Sequence, residues 1–276
     1  RVSKYNHARE APPPTDKPFV LVVDQTAGDA SIHYGMADAT SFLRMLEAAL
    51  DEHPDLPIVL KVHPDVIEGR KRAHFGKLTP AQAKRVTLLA ENAHPPALIE
   101  RSAAVYVVTS QMGFEALLWD RPVRCFGMPF YAGWGLTEDD LASPARRRVG
   151  RQVTRDELVH AAFVEYTRWV DPESGDRCEP ERVIAWMGLQ RRQRERFPRR
   201  IQAVGWSNWK QPIARRFLAG SELRFVTEPQ PPLAGEARAV WGRPSMPLDA
   251  DAASATSLLR VEDGFLRSVG LGANWV

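Results

Sequence analysis

The run from Val105 to Leu118 constrains this chain more than any other stretch. Val105 to Val108 is β-branched and aromatic in character, and Met112 to Leu118 favours helix. Only the small polar residues Thr109, Ser110 and Gln111 separate them. That order predicts a buried strand, a tight turn and a helix N-terminus in about a dozen residues. The first turn of such a helix presents unpaired backbone N–H groups and the positive end of its dipole, so a phosphate fits there. Thr109, Ser110 and Gln111 add side-chain donors beside it.

The rest of the chain repeats the alternation. Phe19 to Val23 is a continuous apolar run, which predicts a strand buried on both faces and ending at the polar loop Asp24 to Asp29. A helix with Phe42, Met45, Leu46 and Ala49 on one stripe follows. Strands are predicted over Pro57 to Val62, Arg85 to Leu89 and Val123 to Phe126, with a short helix over Pro95 to Arg101. Strands alternating with helices make a parallel, doubly wound α/β sheet, and ligands of such sheets collect outside the carboxyl ends of the strands. The loops at Asp24, His63, Ser110 and Gly127 all follow strands and are expected to face one crevice.

Beyond Gly135 a capping box at Thr154 to Glu157 opens a helix with Val159, Ala162, Phe163, Tyr166 and Val170 on one apolar face. A second helix is expected from about Pro180 to Arg196. A further α/β unit then begins near Val204, with a helix over Trp209 to Ala219 and strands over Leu223 to Val226, Ala239 to Gly242 and Ser257 to Val261. The expected organisation is a linker over 1–18, one α/β unit with a helical tail over 19–200, and an incomplete second unit over 201–276. With Arg1 first and Val276 in mid-pattern, the chain reads as an internal fragment.

Bulk properties exclude some classes. No apolar run is long enough to span a bilayer, and no signal peptide is visible. Cys125 and Cys178 are the only cysteines, which argues for a reducing compartment over a disulfide framework. Net charge is only +3, yet basic residues cluster at Arg146 to Arg148 and Arg191 to Arg200. Such clusters are a solvated helix face, or a contact for anionic lipid or acidic glycan. No zinc-ligand spacing and no RNA-binding aromatic motif supports nucleic acid as partner.

Individual residues carry two readings each. Asp24 is an Asx-turn or capping residue, or a nucleophile or base at the mouth of the crevice. His63, held by Pro64, is a turn residue or a donor to a phosphate. Glu115 lies one helical turn after Gln111 and accepts from ribose hydroxyls, or is an exposed helix glutamate. Gly113 serves the anion site or close helix packing. The loop Phe130 to Gly135 offers aromatic surface on flexible backbone, favouring a base- or sugar-facing role. Glu262 and Asp263 suit general acid/base work, or an Asp-Gly turn. No Walker loop, dinucleotide fingerprint or metal site is present.

Taken together, Asp24-Gln25-Thr26, Lys61 to Asp65, Thr109 to Leu117, Phe130 to Thr137 and Glu262 to Gly272 occur in an order that resembles the KpsC-type capsule polysaccharide proteins. These are retaining β-Kdo glycosyltransferases of bacterial capsule export systems. The resemblance covers nearly the whole chain and implies a GT-B-like, Rossmann-like architecture with tandem transferase modules. Residues to about 200 resemble the nucleotide-binding half that closes the first module, and those from about 204 the opening of the second. The donor it implies is CMP-Kdo, with no separate cofactor, and the acceptor a phosphatidylglycerol-based glycolipid bearing oligo-Kdo. It further implies that His63 and Ser110 hold the CMP phosphate and that Asp24 matches a catalytic aspartate. Glu262 and Asp263 then belong to the second site. The implied location is cytoplasmic and peripheral at the anionic inner-membrane surface, with the capsule export machinery as partner. Other readings are a different nucleotide-sugar transferase or epimerase of the same architecture, or a non-catalytic glycan- or membrane-binding module.

Overall fold

The computed structural model describes residues 3, 6, 14–62, 74–75, 78–90, 94–144, 147, 152–242 and 257–262. The chain divides into two compact units, Arg1–Met187 and Gly188–Val276.

The first unit is built on strands β1 (Phe19–Val23), β2 (Ile58–Lys61), β3 (Val86–Leu89), β4 (Ser102–Val107), β5 (Val123–Cys125) and β6 (Glu138–Asp139). They form a six-stranded sheet in the order β3-β2-β1-β4-β5-β6. Every pair is parallel. The chain steps outward from β1 to β3, then crosses back to lay β4 on the other side of β1. That reversal opens a crevice between the carboxyl ends of β1 and β4. The doubly wound α/β sheet expected from the alternation is the one observed; β6, only two residues long, is an addition to it.

Burial of β1 on both faces follows from its period of two. Phe19, Leu21 and Val23 pack with Val105, Val107 and the helix Gln111–Leu118, while Val20 and Val22 pack with Phe42, Met45 and Leu46 of the helix Ala39–Glu52. No residue of β1 is more than 3% exposed. The Ala39–Glu52 helix starts where Asp38 accepts the N–H of Thr40 at 2.8 Å and Ser41 returns a bond to the Asp38 N–H at 3.3 Å. Such a box satisfies donors that the helix itself leaves unpaired.

The helical tail departs from expectation. Thr154 and Glu157 do cap a helix, Arg155–His160, but it continues as a π-helical turn, Ala161–Tyr166. Widening the bonds from i→i+4 to i→i+5 rotates later side chains off the original stripe. Val159, Ala162 and Phe163 still pack on the core, whereas Tyr166 is 87% exposed. Val170 is no longer helical: it lies in β7 (Trp169–Val170), which pairs antiparallel with β8 (Arg177–Cys178). The helix Pro180–Glu195 follows, and the division between the units falls within it.

The second unit holds β9 (Arg200–Val204), β10 (Glu222–Val226), β11 (Glu236–Trp241) and β12 (Leu258–Val261), all parallel, in the order β10-β9-β11-β12. Ile201, Ala203, Ala237 and Ala239 form its core with Ala214 and Leu218, from the helix Gln211–Phe217 and the residue after it. Of the basic run, Arg191 is buried and bonds Glu195 at 2.5 Å, while Arg192, Arg194, Arg196, Arg199 and Arg200 are exposed. No helix among the described residues is long and apolar enough to cross a membrane.

Candidate active site

The carboxyl end of β1 delivers Asp24 and Gln25, and the carboxyl end of β4 delivers Thr109 and Ser110. Gln25 and Thr109 lock the two ends together. The Gln25 side-chain amide donates to Thr109 Oγ1 at 2.9 Å, and the Thr109 backbone N–H donates to Gln25 Oε1 at 2.9 Å. Ser31 Oγ lies 3.1 Å from the same threonine hydroxyl. Thr109 fits because two glycines make room for its methyl group. A Cβ on Gly35 would stand 2.4 Å from Thr109 Cγ2, and one on Gly127 would stand 2.8 Å from it.

Asp24 is held inside this frame with its side chain fully buried. Its Oδ1 accepts the Gln25 N–H at 2.8 Å and lies 3.3 Å from His74 Nδ1. That nitrogen is also 2.9 Å from the Gln25 carbonyl oxygen. A carbonyl can only accept, so Nδ1 carries the proton and faces both oxygens as donor. The imidazole is oriented by Phe42, on which it stacks with ring centroids 3.8 Å apart and planes 4° from parallel. The second carboxylate oxygen, Oδ2, is buried and has no hydrogen-bond partner among the described residues. Burial pushes the Asp24 carboxyl above its ordinary value, opposed by the Gln25 N–H and by His74. Burial also lowers the ammonium pKa of Lys61, at the end of β2.

Ser110 is the N-cap of the Gln111–Leu118 helix, its Oγ accepting the Met112 N–H at 3.3 Å. Its carbonyl accepts the Tyr131 hydroxyl. Ser110 is half-buried and Gln111 exposed, so this helix start is open to solvent. Gly113 points elsewhere: a Cβ there would stand 2.3 Å from the Tyr131 hydroxyl oxygen, which makes Gly113 the seat for that buried ring. Glu115 is buried rather than an exposed helix glutamate. Hydrogen bonds tie the Phe130 loop. Arg147 donates to the Pro129 carbonyl at 2.7 Å, Gly133 N–H to Asp139 at 2.8 Å and Trp134 Nε1 to the Phe130 carbonyl at 2.7 Å. Tyr131 is fully buried, while Phe130 is 45% exposed.

The first unit therefore holds Asp24, Ser110, Gln111, Gly113 and Glu115, with Asp24 and Ser110 at neighbouring strand ends. Glu262 is in the second unit, exposed directly after β12. His63, Pro64 and Asp263 lie outside the described residues. Among the described residues no group of three His, Cys, Asp or Glu is placed to hold a metal. Sequence reasoning gave no role to Ser31, Gly35 or His74, and quoted Gln25 only as part of the Asp24-Gln25-Thr26 motif. Gln25 follows a strand-end aspartate and carries that much signal. His74 sits in a basic stretch with no period, and nothing in its neighbours ties it to Asp24.

A parallel sheet with this strand order and a polar cluster at its switch point is a Rossmann-like α/β fold of glycosyltransferase type. Residues 1–169 match the family of capsule polysaccharide biosynthesis proteins, and the chain belongs to that family. It is 39% identical over 292 aligned positions to the capsule polysaccharide modification protein LipA of Neisseria meningitidis serogroup B, covering 100% of this chain and 41% of LipA. The lipopolysaccharide-processing protein LpsZ of Rhizobium meliloti is 34% identical over 194 positions, covering 69% of this chain and 43% of LpsZ. The chain thus spans about two-fifths of the length of these relatives. Among solved structures, the β-Kdo 2,4 transferase of Thermosulfurimonas dismutans KpsC matches with a TM-score of 0.61 at 40% identity, over 67% of this chain and 57% of that one. The β-Kdo 2,7 transferase of the same protein matches at 0.52 and 34%, over 65% and 56%.

Proposed function

We propose that the first unit is the nucleotide-sugar-binding half of a retaining β-Kdo transferase module of GT-B architecture, using CMP-Kdo in capsular polysaccharide biosynthesis. The observation that carries this reading is Asp24, buried at the switch point with Oδ1 held and with no hydrogen-bond partner for Oδ2 among the described residues. One oxygen of the carboxylate is positioned while the other is left for chemistry. The strand end beside it carries the start of the Ser110-capped helix, whose positive dipole end suits the phosphate of CMP.

The chemistry is a double displacement. Asp24 Oδ2 forms a bond to the anomeric carbon as the bond from that carbon to the phosphate oxygen breaks, and CMP leaves with the electron pair. An acceptor hydroxyl, deprotonated by a carboxylate, then displaces Asp24, and two inversions retain the configuration. CMP is a good leaving group, so charge stabilisation at the phosphate matters more than a strong acid. Because the Asp24 side chain is fully buried, donor binding must uncover it. The acceptor is a phosphatidylglycerol-based glycolipid carrying oligo-Kdo. The exposed arginines between 192 and 200 suit an anionic inner-membrane surface, with the capsule export machinery as the downstream partner.

Replacing Asp24 by Ala in a longer protein that carries the complete module is expected to abolish Kdo transfer by that module; unchanged transfer overturns the assignment. Calorimetric titration of this chain is expected to give a clear preference for CMP over UDP and GDP. Preference for another nucleotide points to a transferase or epimerase using a different nucleotide sugar.

A further inference from the structure

Asp24 is fixed in part by a residue fifty positions away in the sequence. His74 Nδ1 stands 2.9 Å from the Gln25 carbonyl oxygen and 3.3 Å from Asp24 Oδ1. One proton is thus shared, with the backbone carbonyl as the nearer acceptor and the carboxylate as the second. Both acceptors are themselves held. The Gln25 side chain is bonded to Thr109 at the end of β4, and the Gln25 N–H goes to the same Asp24 Oδ1 at 2.8 Å. The imidazole plane is set by Phe42, fully buried in the helix Ala39–Glu52. Phe75 meets that same Phe42 ring edge to face at 6.1 Å, so His74 and Phe75 are both anchored on one core side chain. Among the described residues His74 is the titratable group bonded to Asp24. Lys61, whose carbonyl accepts the Asp24 N–H at 2.9 Å, ends the neighbouring strand β2. Phe42 and Thr109, which border the pair from the helix and from β4, are uncharged.

In the displacement proposed above, Asp24 alternates between carboxylate and ester. As Oδ2 bonds the anomeric carbon, the negative charge leaves the carboxyl group and Oδ1 becomes a weak carbonyl acceptor. A donor committed to Oδ1 alone would then be a buried N–H with a poor partner, which is costly. The shared His74 proton keeps the Gln25 carbonyl in both states, so the ester can form and be displaced without the ring turning. We infer that His74 is a positioning residue of the transfer reaction: its Nδ1–H, shared with the Gln25 carbonyl, holds Oδ1 and turns Oδ2 toward the donor sugar. The inference rests on the transferase reading of the first unit. The same bond favours the ionised carboxyl, opposing the burial that raises it.

Three variants separate the bond from the shape. His74→Phe keeps a ring to stack on Phe42 and lacks the donor. His74→Asn lacks the ring and offers an amide N–H near the place of Nδ1. His74→Gln carries its amide out to the place of Nε2 and is expected to behave as His74→Phe does. NMR titration of the labelled Asp24 carboxyl carbon in this 276-residue chain needs no substrate. His74→Phe is expected to raise its midpoint by about one pH unit, and His74→Asn to bring it back toward the wild type. In a longer protein carrying the complete module, His74→Phe is expected to lower kcat for Kdo transfer about a hundredfold, with KM for CMP-Kdo unchanged. The acidic limb of its pH profile is expected to move to higher pH, because a carboxyl that holds its proton more tightly ionises later. His74→Asn is expected to recover both. An unmoved Asp24 midpoint in His74→Phe and His74→Gln overturns the inference, as does equal loss of kcat in all three variants with the pH profile unmoved. A wild-type rate in His74→Phe, with transfer abolished in Asp24→Ala, overturns the role of His74 alone. Full transfer by Asp24→Ala overturns the transferase reading and the inference with it.

Discussion

The two units solve one backbone problem and fill the solution with opposite chemistry. Both are parallel sheets whose chain reverses direction beside the first strand, leaving a crevice at the carboxyl ends of β1 and β4 in one and of β9 and β11 in the other. The first crevice is polar and closed on itself: Asp24, Gln25, His74 and Thr109 hold one another, and glycines let the threonine sit close. The second is aromatic, with the Lys210 ammonium over the Trp241 indole and two glycines, Gly205 and Gly242, whose Cβ positions meet no described atom within 4 Å. The place of a site comes from topology, because only the reversal leaves strand ends uncovered. Much of its chemistry comes from residues just past the strand ends, joined by Trp241 at the end of β11 and by His74 from farther along the chain.

The comparison breaks most sharply at glycine. Gly35→Ala drives a Cβ into Thr109 Cγ2 and to 2.6 Å from the Ser31 carbonyl oxygen. Backbone cannot yield as a flexible side chain does, so the first unit is expected to lose about 3 kcal/mol. Gly205→Ala meets no atom within 4 Å and carries only the cost of its φ of +70°. Denaturant unfolding of both variants checks the difference, and equal losses would deny that the first crevice is the tighter one. A smaller effect is expected at the helix start. Ser110→Ala removes the N-cap bond to Met112 and is expected to cost about 1 kcal/mol, while weakening CMP binding more than that loss of stability explains. Calorimetry on the variant separates the two.

The last difference is one of sign. Burial raises the Asp24 carboxyl above its ordinary 3.8, so its contribution to stability is full below that value and is lost as pH rises through the raised one. Glu236 in the second unit runs the other way. The Arg224 guanidinium bonds it at 2.7 Å and holds it below its ordinary 4.5. Its contribution is present above 4.5 and is lost as pH falls through the lowered value. Acidification toward pH 4 is thus expected to favour β1 and to loosen β11, read as hydrogen exchange of the two strands. Loosening of both alike would remove the contrast.

Much of the fold was legible in the residues. The apolar run Phe19 to Val23 and the strand-turn-helix at Val105 to Leu118 lie where periodicity puts them, because a strand buried on both faces has few other ways to satisfy itself. The tail was less legible. A π turn leaves no mark in hydrophobic spacing, so Tyr166 and Val170 read as core and lie exposed. Asp24 was legible as a strand-end residue and Ser110 as one at a helix start. Gly113 was legible only as one of two alternatives, since its partner Tyr131 is eighteen positions away. Gly35 and His74 were not legible at all.

By itself the sequence determined the alternation of strands and helices, the strand-end positions of Asp24 and Ser110, and the family to which the chain belongs. Those are local properties, set by period two, by capping and by motif order. Only the tertiary structure decided that β1 and β4 are neighbours, that His74 orients Asp24 from fifty positions away, and that Lys210 lies over Trp241. Each of those contacts joins segments that no local preference links. They form because burying both faces of a parallel sheet leaves the chain one compact way to return.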